Sequence, residues 1–133
     1  MQNKQAINPD NLPKLPGVVS HGIVLNKAGL VYTSGQLSWD ENGHLVAGDL
    51  FAQFERAYSN IDIVLQAAGT CRSEVISETI YIVGDCTEHT AQLVQALTQA
   101  RPAGSIPPTS TLVGVQSLFA EGFLVEVQVV ATI

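Results

Sequence analysis

The sequence predicts an α+β fold: a mixed sheet with two helices on one of its faces. Three observations carry this. One segment draws an apolar stripe at helical spacing, a second carries a helix-start signature, and β-branched segments flank both.

In chain order, residues 1–16 are polar and carry Pro9, Pro13 and Pro16, which predicts an extended arm leading into one domain over 17–133. Val18 to Leu25 is β-favouring and predicts a strand. Asn26-Lys27-Ala28-Gly29 reads as a turn, and Leu30 to Ser34 as the second arm of a hairpin. Asp40-Glu41-Asn42-Gly43 is a further turn signal, with short strands expected around Leu37 and around His44 to Val46. Phe51, Phe54, Tyr58, Ile61, Leu65 and Ala68 then recur at alternating spacings of three and four, which fixes an amphipathic helix. Asp49 is placed to cap its start and Gly69 to end it.

Val75 to Val83 predicts a strand with Ile76, Ile80 and Ile82 on one face and Ser77, Thr79 and Tyr81 on the other. Asp85 with Glu88 has the pattern of a capping box, opening a second helix to about Ala100 with Leu93, Val94 and Leu97 inward. After a Pro- and Gly-rich loop over 101–108, Thr109 to Ser117 and Phe123 to Ile133 predict the last strands. In the final strand Phe123, Val125, Val127 and Val129 share a face, and Glu126 and Gln128 lie on the other with Leu124 and Val130. The order is β-β-(β)-α-β-α-β-β. The sheet face away from the helices needs cover, and self-association is the economical way to supply it.

Composition limits the function. At 133 residues, 46% apolar and 14% charged, the chain builds one core, and the low charge points to surface covered by partner subunits. Net charge is -6, and Lys4, Lys14, Lys27, Arg56, Arg72 and Arg101 are scattered, which argues against nucleic acid and anionic membrane as partners. No apolar run is long enough to span a bilayer, and Met1 to Pro13 holds no signal-like apolar stretch, so the expected compartment is the cytoplasm. Cys71 and Cys86 form neither a metal spacing nor a disulfide framework, and His21, His44 and His89 show no ligand spacing, so no metal is expected. Ser34, His44 and Asp40 can be drawn as a triad, but Ser34 lacks the strand-turn-helix context of an activated nucleophile. Cys71 has no arranged base beside it and reads as a small buried or semi-exposed residue.

Five segments together resemble the RidA/YjgF (reactive intermediate deaminase) family. Val31-Tyr32-Thr33-Ser34-Gly35-Gln36 resembles "VFTSGQ". Gly48-Asp49-Leu50 with Ala52-Gln53 resembles "GDIxAQ", and Asn60-Ile61, Val64-Leu65 and Ala67-Ala68-Gly69 resemble "N(I/L)xxVLxAAG". Pro107-Pro108-Thr109-Ser110-Thr111 stands where the family reads "PARST", and Leu124-Val125-Glu126-Val127 resembles "LVEIE". The matches run in order over nearly the whole chain. The resemblance implies a chorismate-mutase-like α+β fold, a homotrimer, three small-molecule clefts between subunits and no cofactor. Archetypal members hydrolyse an imine or enamine, such as 2-aminoacrylate or its tautomer, to a 2-keto acid and ammonia.

Carried over residue by residue, the resemblance gives Glu126 the role of orienting water or shuttling a proton. It places Ser34, Gly35 and Thr111 in the ligand-binding wall. The family's carboxylate-binding arginine falls on Thr109, and its "GPYS" tyrosine falls on Val19. Thr carries no charge, and losing a bidentate cation in a dry site costs on the order of a thousandfold in rate. Both changes argue against the archetypal activity. Arg101, before the loop that leads to Thr109, and His21, near Val19, are the candidates to replace the arginine; an exposed arginine after a helix and a satisfied core histidine are their commoner roles. Two functions therefore stand side by side. One is hydrolysis of a different small imine or enamine with Glu126 as catalyst. The other is a non-enzymatic trimer that binds a metabolite or regulates a partner. A ribonuclease lacks both a basic groove and paired histidines here.

Overall fold

The computed structural model describes residues 3–133. Six strands form one sheet: β1 (Lys4–Ile7), β2 (Gly22–Leu25), β3 (Leu30–Thr33), β4 (Val75–Val83), β5 (Thr109–Val115) and β6 (Val125–Thr132), in the order β1-β2-β3-β6-β4-β5. Helix α1 (Leu50–Ala67) links β3 to β4, and helix α2 (Thr90–Ala100) links β4 to β5. All neighbours are antiparallel except β4 and β5. Both strand-helix-strand crossovers step in the same direction along the sheet. Crossovers of one hand therefore place both helices on one face, as expected.

The α1 stripe is buried at Phe54, Tyr58, Ile61 and Leu65, with Ala57 and Val64 beside it, against Val125, Val127, Val129 and Ala131 of β6. Asp49 caps the helix, accepting from the Ala52 amide at 2.9 Å. Gly69 follows with φ +84°, the left-handed conformation a helix stop requires. Gly22 shows how closely α1 meets the sheet: a Cβ there would lie 2.7 Å from a Val64 methyl.

Several details depart from the sequence expectations. The segment expected as an arm enters the sheet through β1, an edge strand paired with β2, and Leu12 is buried; Met1 and Gln2 of that arm lie outside the described residues. The first hairpin strand begins only at Gly22, because 16–18 form a turn. The segments around Leu37 and His44 to Val46 make isolated bridges, Gln36 with Val127 and Trp39 with Leu45, rather than strands. The second helix opens as a 3-10 turn over Cys86–His89, because the Asp85 carboxylate accepts from the Thr87 amide (2.9 Å) and hydroxyl (2.7 Å), one residue short of a capping-box bond. Of its expected inward residues Leu93 is buried, Leu97 is half-buried and Val94 is exposed. A bulge between Val75 and Ser77 breaks the β4 alternation and turns Ile76 outward.

Candidate functional site

Because Val125, Val127 and Val129 point under α1, the alternation of β6 sends Glu126 to the opposite, helix-free face of the sheet. There it is half-buried, with Tyr81 of β4 directly opposite it in register. Burial raises its carboxyl pKa above the ordinary value, and no hydrogen bond or ion pair offsets this among the described residues.

The chain end of β3 folds over this carboxylate. Gln36 and Val127 exchange backbone hydrogen bonds at 2.7 and 2.9 Å, which lays residues 34–36 alongside β6. Gly35 then passes so close that a Cβ would run into the Glu126 carboxyl group. The Ser34 amide donates to the His21 carbonyl (2.8 Å), and its hydroxyl donates to the Ser20 carbonyl (2.6 Å). This ties the 17–20 segment, including exposed Val19, to the same corner. Ser34, Gly35 and Glu126 thus gather at one place, with Val19 one residue from the Ser20 carbonyl that holds Ser34.

Thr109 and Thr111 do not join them within the chain. They share the helix-free face, but on edge strand β5: Thr111 aligns with Thr79 and through it with Gln128, and Thr109 with Ser77 and Val130. At ordinary strand spacing and rise, Thr111 lies roughly 12 Å and Thr109 roughly 16 Å from the Glu126 backbone. Thr109 is exposed and its hydroxyl donates to the Ile76 carbonyl at 3.2 Å.

Neither Arg101 nor His21 is free to take the carboxylate-binding role expected of a cation near Thr109. Arg101 forks onto Glu78, at 2.7 and 2.6 Å, on the helix side of the sheet. Buried Glu78 also accepts from Tyr58 (2.6 Å) and Ser110 (2.6 Å). Burial pushes its pKa up, but the bonds from Arg101, Ser110 and Tyr58 outweigh that and hold it below the ordinary value. His21 is buried with both ring nitrogens engaged: Nε2 against the Pro13 carbonyl, and Nδ1 with the Gln36 side-chain amide at 2.9 Å. A neutral ring donating from Nε2 and accepting at Nδ1 satisfies both partners. The Glu78 cluster went unread in the sequence. Its signal was a carboxylate on the apolar side of β4, two residues before Ile80, where a charge persists only if paired.

Other combinations stay apart. The His44 and Asp40 side chains are 4.0 Å apart in the 40–44 turn, while the Ser34 hydroxyl is committed to Ser20. Cys71 is exposed rather than packed, with its sulfur 3.0 Å from the Ser73 hydroxyl. Among the described residues no three His, Cys, Asp or Glu side chains gather as a metal site, and no helix is long and apolar enough to cross a membrane.

A family model described as Endoribonuclease L-PSP matches residues 16–133. The chain belongs to the RidA/YjgF family. Among its relatives is Protein DfrA of Myxococcus xanthus, 31% identical over 112 residues, which are 82% of this chain and 86% of that protein. A 2-iminobutanoate/2-iminopropanoate deaminase of Salmonella typhimurium is 28% identical over 78 residues, 59% of each chain. The solved structure of the Rid-family protein YyfA of Yersinia pestis, described as of unknown function, superposes with a TM-score of 0.85. It is 32% identical and the match covers 98% of this chain and 99% of that one. The six-stranded mixed sheet with two helices is thus the RidA/YjgF fold.

Proposed function

We propose that this RidA-family chain works as a homotrimer in the cytoplasm, with small-molecule clefts at its subunit interfaces, and hydrolyses a small imine or enamine other than the usual 2-aminoacrylate type. The observation that carries this is Glu126: a half-buried carboxylate with no partner among the described residues, set beneath Gly35 on the helix-free face. A carboxylate kept free of partners there is available to a ligand and its water.

A split site supports the homotrimer reading. Val19, Ser34, Gly35 and Glu126 form one half, and Thr109 and Thr111 the other, more than ten ångströms away on edge strand β5 (roughly 12 Å and more). In a head-to-tail interface two different patches of one chain meet between neighbours, and such an interface forms a ring where its rotation closes. In the assembled cleft Glu126 takes a proton from water as the oxygen adds to the C=N carbon. It returns that proton to the nitrogen; as the C–N bond of the carbinolamine then breaks, Glu126 takes up the hydroxyl proton, which passes to the departing nitrogen, leaving a carbonyl compound and ammonia.

Imines generated in situ by amino-acid and amine oxidases provide the test, with their decay followed against buffer. Faster decay with at least one imine, abolished in Glu126→Ala, is expected. Decay at the buffer rate across the panel would leave the second reading, a non-enzymatic metabolite-binding or regulatory trimer. That reading is favoured by Val19 and Thr109, which make the cleft less cationic and more apolar. Under it, Glu126→Ala shifts ligand affinity alone. A nuclease has little support: the arginines are held by protein groups and His21 is locked between Pro13 and Gln36.

A further inference from the structure

The same cleft shows a charge preference. We propose that it takes a cationic, N–H-bearing head group without a carboxylate: a small protonated imine, or its ammonium counterpart. This rests on Glu126 lining the ligand cleft, as argued above.

The first ground is the polarity of the lining. Glu126 accepts hydrogen bonds when ionised. The Ser34 hydroxyl already donates to the Ser20 carbonyl and the Thr109 hydroxyl to the Ile76 carbonyl, so what each still offers a ligand is an oxygen lone pair. Three groups that accept match a ligand that donates. They face a carboxylate with like polarity.

The second ground is where the cations are. In a ring of identical chains, any lysine or arginine a neighbour contributes comes from the same six residues. Arg101 is forked onto Glu78, and Arg72 onto Asp62 while lying over the Tyr58 ring; both hold positions on the helix side. Arg56 belongs to α1 and donates to the Trp39 carbonyl. Lys14 pairs with Asp10. Lys4 begins edge strand β1, three strands across from Glu126, and Lys27 sits in the turn between β2 and β3, beside the far end of β6 from Glu126. The net charge of -6 adds a field that gathers cations and repels carboxylates.

The test compares three probes of one size on the full chain by titration calorimetry: sec-butylammonium, neutral butanone and anionic 2-oxobutyrate. The ammonium should bind more tightly than 2-oxobutyrate by about tenfold or more, a typical contribution of a charge-assisted hydrogen bond. Glu126→Gln, which keeps the shape and removes the charge, should erase that margin while moving butanone affinity by no more than about threefold. Thr109→Arg should turn the preference round by giving a carboxylate its bidentate partner. Tighter binding of 2-oxobutyrate to the wild type, ammonium binding indifferent to Glu126→Gln, or no binding by any probe would each overturn the proposal. The outcomes separate from the hydrolase reading. Glu126-dependent hydrolysis of carboxylate-bearing imines would sink the charge preference and keep the catalyst. Ammonium binding without turnover of any imine would do the reverse.

Discussion

Glu78 and Glu126 sit on adjacent strands of one sheet and meet opposite fates. Glu78 faces the helices, is fully enclosed, and is met by Arg101, Tyr58 and Ser110. Glu126 faces away, half-buried, with Gly35 laid over it and no partner among the described residues. Both lose water, yet the first has its pKa lowered and the second raised. The difference is the supply of donors. A carboxylate that the fold has fully satisfied holds structure together, and one that the fold desolvates and leaves unsatisfied is available to a ligand.

Breaking the first carboxylate should have the largest effect. Glu78→Ala leaves the Arg101 guanidinium without its counter-charge and Tyr58 and Ser110 without their acceptor. Removing one member of such a buried pair costs about 3–5 kcal/mol. Urea denaturation at fixed protomer concentration measures it, since an assembly's stability depends on concentration. Glu126→Ala under the same conditions should change stability by less than about 0.5 kcal/mol, or raise it. Equal losses from the two would remove the distinction drawn here.

The comparison also shows what the sequence can and cannot disclose. The alternation of β6 placed Glu126 on the face away from the core, because a period of two fixes sidedness without knowledge of neighbours. The α1 stripe and both of its end signals were equally legible, being local. Strand adjacency was not. Only the order β3-β6-β4-β5 shows that Thr109 and Thr111 stand two strands from Glu126, so that they do not meet it within one chain. The β1 segment escaped notice because three of its four residues are exposed and it pairs along one edge only. The partner of Arg101 was hidden for a related reason: Glu78 and Arg101 are 23 residues apart and meet through packing of α2 on β4.

A finer change tests the approach of Gly35 to Glu126. In Gly35→Ala the new methyl occupies the space of the carboxyl group, which is the mobile end of a side chain and can swing aside. The stability cost should stay below about 1 kcal/mol, while turnover or ligand affinity falls by about tenfold or more because the carboxylate no longer sits in place. Gly35→Ala in a Glu126→Ala background should add nothing further to either measurement. A full additive loss in the double variant would mean that Gly35 acts through something other than the carboxylate.

The smallest effect is the most discriminating, because the two glutamates give stability opposite slopes with pH. Glu78 has a lowered folded pKa, so its contribution is present above the unfolded carboxyl value and fades as pH falls through the folded one. Glu126 has a raised folded pKa, so the folded state binds the extra proton. Its penalty is absent below the unfolded value, near pH 4.3, and grows as pH rises towards the folded value. Glu126→Gln removes that penalty. The difference in unfolding free energy between variant and wild type should therefore be nil in acid and climb to a plateau in favour of the variant, of less than about 1 kcal/mol. A flat difference would mean that Glu126 is no more desolvated in the assembly than in water. An ammonium ligand reverses the slope, since it stabilises the ionised carboxylate and binds more tightly as that group loses its proton. A carboxylate ligand would weaken through the same interval, so the direction of the ligand-induced shift with pH reports the charge that the cleft accepts.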